Sequence, residues 1–167
     1  LRGVCYNTLM ITYYTDGSAE PNPGPGGFAI IRDGQPYIIG GEPDGSPVQS
    51  TRTTNIRMEG LAILNAICDG AETGDQFKIV TDSMFWVNVL EQWAPNWERA
   101  GWVKKGGIKN LDIVKPLYQA YRGCAGRLQL EWTRGHVGTE LNELADQWAG
   151  KARQMKLANP IKVSELS

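Results

Sequence analysis

A chain of 167 residues with 41% apolar side chains is sized for a single domain with a sizeable core. Its 17 Lys and Arg against 18 Asp and Glu leave a formal net charge of −1. That balance excludes a protein held on nucleic acid by bulk charge alone, though not one with a local basic groove beside an acidic site.

Three scattered cysteines, Cys5, Cys68 and Cys124, form no C-x-x-C pair. They argue against a disulfide framework or a zinc site and for reduced thiols in a cytosolic setting. No apolar run reaches the roughly 18–20 residues of a membrane span. The opening Leu1-Arg2-Gly3-Val4-Cys5 has no signal-peptide core. A cytoplasmic protein that does not engage a membrane is expected.

The first third of the chain reads as strands. Residues 9–15, 27–32 and 36–40 are rich in β-branched and aromatic side chains, with Gly, Pro and Asp between them. Asp33-Gly34 predicts a hairpin between the second and third. Asn22-Pro23-Gly24-Pro25-Gly26-Gly27 is a turn with unusual backbone freedom, and a loop spans residues 42–52. A helix is predicted to start at Thr54 or Asn55, either of which can cap it, and to stop near Asp69-Gly70.

Residues 77–82 read as a short buried strand and 83–92 as a second helix. Residues 93–110 are a Trp-, Gly- and Lys-rich excursion, 111–122 a further helix and 127–133 a last strand. The clearest helix covers 140–155, where Leu141, Leu144, Ala145, Trp148, Ala149 and Ala152 fall on one face. Residues 156–167 show no strong pattern. Three strands, then helix, strand, helices, strand and helix predict an α/β fold. Its sheet should be mixed, with an antiparallel hairpin edge and parallel strands joined by helical crossovers.

Asp16 falls at or just past the end of the first predicted strand, and Asp82 at the end of the fourth. Strand ends in such sheets gather at one rim, where sites form. Two carboxylates emerging there side by side repel unless a cation sits between them. Glu59 lies in the first turns of its helix and Asp146 at the edge of the last helix's apolar stripe, so both can project at the same rim. Four carboxylates with no Cys or His cluster make a hard oxygen site suited to Mg²⁺ or Mn²⁺. Two such ions about 3.5–4 Å apart can activate a water and stabilise the leaving oxygen of a phosphodiester. Singly, an Asp at a strand end is usually a cap or turn residue, so the weight lies in the set.

The set stands in a recognisable context. Tyr14-Thr15-Asp16-Gly17-Ser18, Asn22-Pro23-Gly24-Pro25-Gly26-Gly27, Thr53-Thr54-Asn55 with Arg57-Met58-Glu59, Thr81-Asp82-Ser83, Gly135-His136 and Asn142-Glu143 with Ala145-Asp146 resemble type 1 (cellular) ribonuclease H. They fall in that family's order and at its spacing from Asn7 to Arg153. The resemblance implies a ribonuclease H-like fold, a five-stranded mixed sheet flanked by helices. It implies an endonuclease that hydrolyses the RNA strand of RNA–DNA hybrids by two-metal-ion catalysis, leaving 5′-phosphate and 3′-hydroxyl ends. Asp16, Glu59, Asp82 and Asp146 would then be the ligands of two Mg²⁺ ions, replaceable by Mn²⁺.

Further positions carry over one by one. His136 matches a mobile-loop histidine that assists proton transfer or product release; Gly135 and Gly138 beside it suit a residue that moves. Without the resemblance, this lone histidine reads as a surface residue with no role. Asn22 and Asn55 match minor-groove residues, and Glu59 there contacts the 2′-hydroxyl as well as metal. Met84 stands at a groove position where many bacterial members have Gln, and Ile56 where the family usually has Asn or Gln. Arg52, Thr54 and Asn110 match a pocket for one DNA-strand phosphate. Phe85 and Trp93 match an aromatic wall against the deoxyribose, with core packing as the bland alternative. Trp93, expected after its helix, leans towards function.

The 93–110 segment resembles a basic protrusion that grips the hybrid. Trp97, Gly101 and Trp102 frame it, and Arg99, Lys104, Lys105 and Lys109 outweigh Glu98 only modestly. Trp102 is counted among the hybrid-contacting residues, although Trp97 and Trp102 can equally pack the protrusion's base.

Residues 1–6 are assigned to an N-terminal extension or cloning remnant, 7–155 to the catalytic domain and 156–167 to a C-terminal tail. A monomer is expected, with an RNA–DNA hybrid as partner. An integrase or resolvase of the same superfamily is not expected to combine the Asn-Pro-Gly turn, Thr-Thr-Asn and the Trp protrusion. The ribonuclease H domain of a reverse transcriptase stays open, because the chain begins without Met. A non-catalytic hybrid-binding module would be expected to lose a carboxylate, and none is lost.

Overall fold

The computed structural model describes residues 10–43, 53–134 and 140–166. Strands β1 (Ile11–Ala19), β2 (Gly26–Arg32) and β3 (Gln35–Glu42) pair antiparallel in sequence order. Asp33 and Gly34, at φ 48° and 85°, make the tight turn expected between the last two.

Helix α1 (Asn55–Thr73) opens at Thr54, whose hydroxyl accepts the Arg57 N–H at 3.2 Å. It does not stop near Asp69-Gly70 but continues to a left-handed Gly74 at φ 77°. Gly70 is a packing residue, not a stop signal: a Cβ there would come within 2.5 Å of the Phe77 ring.

After β4 (Phe77–Thr81), one helical run comprises α2 (Met84–Asn88), a π turn (Val89–Trp93) and α3 (Ala94–Arg99). The helix expected to end at residue 92 therefore reaches Arg99, and Trp93 lies inside the run, not after it. Helix α4 (Leu111–Gly123), strand β5 (Leu128–Trp132) and helix α5 (Glu140–Gln154) follow.

The strand order is β5-β4-β1-β2-β3-β6, with β6 at Ile161–Lys162. Pairing is parallel in β5-β4-β1 and antiparallel elsewhere. The mixed α/β sheet is as expected, but it has six strands, not five. The sixth lies in the tail read as patternless, where Ile161 pairs with Ile39 and Lys162 with Ile38. Two residues are too short to show a strand's alternation.

Alternation along β2 divides the core between two faces. Phe28 and Ile30 pack with Met58, Ala62 and Ile63 of α1, whereas Ala29 packs with Ala149 and Ala152 of α5. Helix α5 lies close because β2 offers glycine: a Cβ on Gly27 would stand 2.3 Å from the Arg153 nitrogen. The larger cluster, on the α1 side, takes in Trp86, Phe77 and Leu117, all fully buried. Burial of each such side chain contributes roughly 1.5–3 kcal/mol. Among the described residues, no helix is long and apolar enough to cross a membrane.

Candidate active site

The parallel register of β1 on β4 ends at Tyr14 opposite Val80. Two residues further along each chain come Asp16 and Asp82, which this register sets side by side. Asp16 is not at the strand's end. Strand β1 runs on to Ala19 because Gly17, Ser18 and Ala19 still pair with Phe28, Gly27 and Gly26.

Asp82 is held between two hydroxyl residues. Thr81 Oγ1 accepts the Ser83 N–H at 3.1 Å, and Ser83 Oγ caps α2 by accepting from Trp86 N at 3.3 Å. Trp132 Nε1 donates to the Asp82 carbonyl at 3.2 Å, a support that sequence reading missed.

Glu59 is brought to the same rim by the close seating of α1 on Gly17. Asp146 arrives from α5, which is tied to β1 by Arg153 Nη1 donating to Ser18 Oγ at 3.2 Å. One carboxylate oxygen each of Asp16, Glu59 and Asp82 lie within 4.8 Å of one another. Asp146 is more exposed and lines the same cleft of about 360 Å³ with them. No basic side chain lines that cleft among the described residues.

The electrostatics are those of a site built for a cation. The Asp16 carboxyl is pushed up to about 9, first by burial and then by the Asp82 charge, against a hydrogen bond from the Gly17 N–H. Asp146 and Glu59 push the same way. Glu59 is pushed up to about 8, first by burial and then by the Asp82 carboxylate beside it. Asp82 Oδ1 is buried with no hydrogen-bond partner among the described residues. A buried acceptor without a donor, inside a ring of acids, fits a hard divalent cation.

The polar residues beside the cleft are linked in a chain. Asn22 Oδ1 accepts the Asn55 N–H at 3.1 Å, and Asn55 Oδ1 accepts the Ala19 N–H at 2.5 Å. Both oxygens are thus committed to the backbone, and neither NH₂ group has an acceptor among the described residues.

One residue went unassigned in the sequence. Arg57 is 1% exposed, and its guanidinium is fully engaged. Nε and Nη2 donate to Glu42 at 3.0 and 3.0 Å, Nη1 and Nη2 to Asp112 at 2.9 and 2.8 Å, and Nη1 to Asn110 Oδ1 at 3.2 Å. Those bonds hold the Asp112 carboxyl below the ordinary carboxylate range. The available signal was a basic residue sharing a helix face with Leu61 and Leu64. Its partners, from β3 and the start of α4, were not readable.

A second, larger groove of about 720 Å³ lies beside α1. Ile56, Phe85, Trp93, Trp97, Lys104, Lys105, Lys109 and Asn110 are among its lining residues. Phe85 meets Trp93 edge-on at 5.7 Å and Trp86 at 5.2 Å, so the aromatic wall is anchored in the core. Trp93 is 38% exposed and Met84 44% exposed, so neither is spent on packing. Trp102 is not in this lining. It stands at φ 64°, packs on Tyr118 at 6.1 Å and has Lys115 at 5.9 Å from its ring, so it braces the protrusion. Arg52 and His136 lie outside the described residues.

A mixed sheet with carboxylates clustered where β1 meets β4, and a basic aromatic groove alongside, has the make-up of a nuclease. The family model described as RNase H matches residues 9–154. The chain is 36% identical over 149 residues to a ribonuclease H of Pseudomonas paraeruginosa, covering 85% of this chain and 92% of that one. It is 36% identical over 148 residues to a ribonuclease H of Syntrophomonas wolfei, covering 85% and 94%. Among solved structures, LC9-RNase H1, described as a type 1 RNase H with the type 2 active-site motif, matches with a TM-score of 0.71 at 25% identity. That likeness covers 96% of this chain and 77% of the other. The chain belongs to the RNase H family and is a ribonuclease H enzyme of type 1 character.

Proposed function

We propose that the protein is an endonuclease that hydrolyses the RNA strand of RNA–DNA hybrids and leaves 5′-phosphate and 3′-hydroxyl ends. Membership of the RNase H family supports the substrate class. The observation that carries the chemistry is the cluster of Asp16, Glu59 and Asp82 oxygens within 4.8 Å of one another. Asp16, Glu59, Asp82 and Asp146 would hold two divalent cations, Mg²⁺ or in its place Mn²⁺, which when bound supply activation of the attacking water and stabilisation of the leaving oxygen.

The chain's own residues bind and orient the duplex around that cluster. Glu59 and the NH₂ groups of Asn22 and Asn55 face the RNA 2′-hydroxyls, which both donate and accept. Met84 packs in the minor groove without hydrogen bonding. Arg52, Thr54 and Asn110 take one DNA-strand phosphate. Phe85 and Trp93 stand against a deoxyribose, where a 2′-hydroxyl does not fit. Lys104, Lys105 and Lys109 add a salt-sensitive grip. His136 moves a proton or helps product leave.

The test is incubation with Mg²⁺ and labelled RNA–DNA, RNA–RNA and DNA–DNA duplexes, with Asp82→Asn as control. Cleavage confined to the hybrid's RNA strand, and absent in the variant, is expected. Equal cutting of all three duplexes would overturn the substrate assignment.

A further inference from the structure

We infer that Arg57 is a positioning residue for recognition of the DNA-strand phosphate, orienting Asn110 so that its NH₂ group faces the ligand. The inference rests on the phosphate pocket proposed above and adds what sets its geometry.

An arginine side chain has five N–H donors in a fixed planar fork. In Arg57 all five are used: two go to Glu42, two to Asp112, and the fifth reaches Asn110 Oδ1 at 3.2 Å. The two carboxylates grip the guanidinium on two edges and fix its plane, so the direction of the fifth bond is set by them. Arg57 is buried and has no donor left, so it cannot bind a phosphate itself. It acts through its neighbours.

Because a guanidinium only donates, Asn110 must turn its oxygen inward and its NH₂ outward. Asn110 lines the groove that also carries Lys105 and Lys109, and its NH₂ has no acceptor among the described residues. Its backbone sits at φ 58°, which Asn tolerates better than most residues. The backbone that carries the fork is fixed as well, since the Arg57 N–H donates to the capping Thr54 Oγ1 at 3.2 Å.

The inference can be tested with hybrids whose DNA strand carries a single methylphosphonate, placed at each position in turn. This linkage removes one phosphate charge and keeps the duplex. The wild-type enzyme should show one position where the neutral linkage raises KM about tenfold, as for loss of one hydrogen bond to a charged group. Asn110→Ala should raise KM on the unmodified hybrid and lose that position-specific penalty. Arg57→Gln should do the same, with kcat changed less than KM, and should add nothing when combined with Asn110→Ala. Arg57→Lys keeps a cation between Glu42 and Asp112, and so keeps the fold, but a single ammonium cannot make the fork. It should lose the penalty too.

If either Arg57 variant melts lower yet retains the full penalty, Arg57 merely holds the fold together and the inference is overturned. If the wild type shows no position-specific penalty, the pocket itself is absent and both readings fall. If wild type and Asn110→Ala behave as expected while the Arg57 variants keep the penalty, only the positioning role is lost.

Discussion

Gly17 of β1 is pressed against the backbone of Glu59. A Cβ on Gly17 would stand 2.3 Å from the Glu59 nitrogen and 2.4 Å from the Met58 carbonyl carbon. Gly17 pairs with Phe28 on the α1 side of the sheet, while Asp16 pairs with Ala29, whose side chain faces α5. This contact fixes how near α1 comes to β1, and so how far the Glu59 carboxylate lies from Asp16.

Gly17→Ala should therefore damage the site more than the fold. Pushing α1 outward by overpacking costs about 1–3 kcal/mol. A displacement of order 1 Å at a reacting centre costs about 10²-fold in rate. Thermal melts and single-turnover cleavage of a hybrid measure the two effects. Full activity in the variant would show that the strand–helix spacing does not set the carboxylate geometry.

The raised pKa values of Asp16 and Glu59 make a prediction with a definite sign. In the unfolded chain these groups lose their protons near the ordinary values of 3.8 and 4.5, whereas in the metal-free fold they hold them up to about 9 and 8. The fold binds more protons between those limits, so its stability falls as pH rises from about 4 to about 9. Asp16→Asn should be more stable than wild type in chelator, with the gap widening towards alkaline pH and closing towards acid. Mg²⁺ should raise the melting temperature of wild type more at pH 8 than at pH 5, and its binding should release protons. Melts with and without chelator across that range decide it, and a gap that narrows with rising pH would contradict the electrostatic picture.

The strand ends made Asp16 and Asp82 neighbours on paper, because parallel ladders need only a register. Glu59 and Asp146 were joined to them by motif context alone. Their approach depends on Gly17 and Gly27, small residues that let helices sit close, and such contact leaves no periodic trace. Arg57 shows the same limit. Its partners lie 15 and 55 residues away in sequence, so the buried fork could not be read locally. Trp93 was misplaced for another reason: a π turn carries the helix through it, and composition there resembles a loop.

Trp93 and Phe85 should separate binding from stability. Trp93 is 38% exposed at the groove, whereas Phe85 bridges it to the fully buried Trp86. Trp93→Ala should raise KM for the hybrid about tenfold, in the range of one lost aromatic contact to nucleic acid, and barely move the melting temperature. Phe85→Ala should do both. Steady-state kinetics beside melts test the contrast, and an unchanged KM in Trp93→Ala would remove the aromatic wall from substrate recognition.

Truncation after Lys156 tests the strand that the sequence did not announce. Leu157, Ile161, Val163 and Leu166 pack against the cluster of Ile39, Ala149 and Ala152, and Ile161 pairs with Ile39 at the sheet edge. Removing them uncovers Ile39, which is fully buried, and leaves one edge of β3 unpaired. Several half-buried apolar side chains contribute about 1 kcal/mol each, so the loss should be roughly 2–4 kcal/mol. The rim carboxylates keep their supports from Gly17, Thr81 and Ser83, so kcat below the melting transition should stay within about twofold of wild type, well under the tenfold that 1.4 kcal/mol of barrier would cost. Denaturant titration and kinetics at low temperature separate the two. A large drop in kcat without loss of stability would instead mean that the tail positions α5, and with it Asp146, at the site.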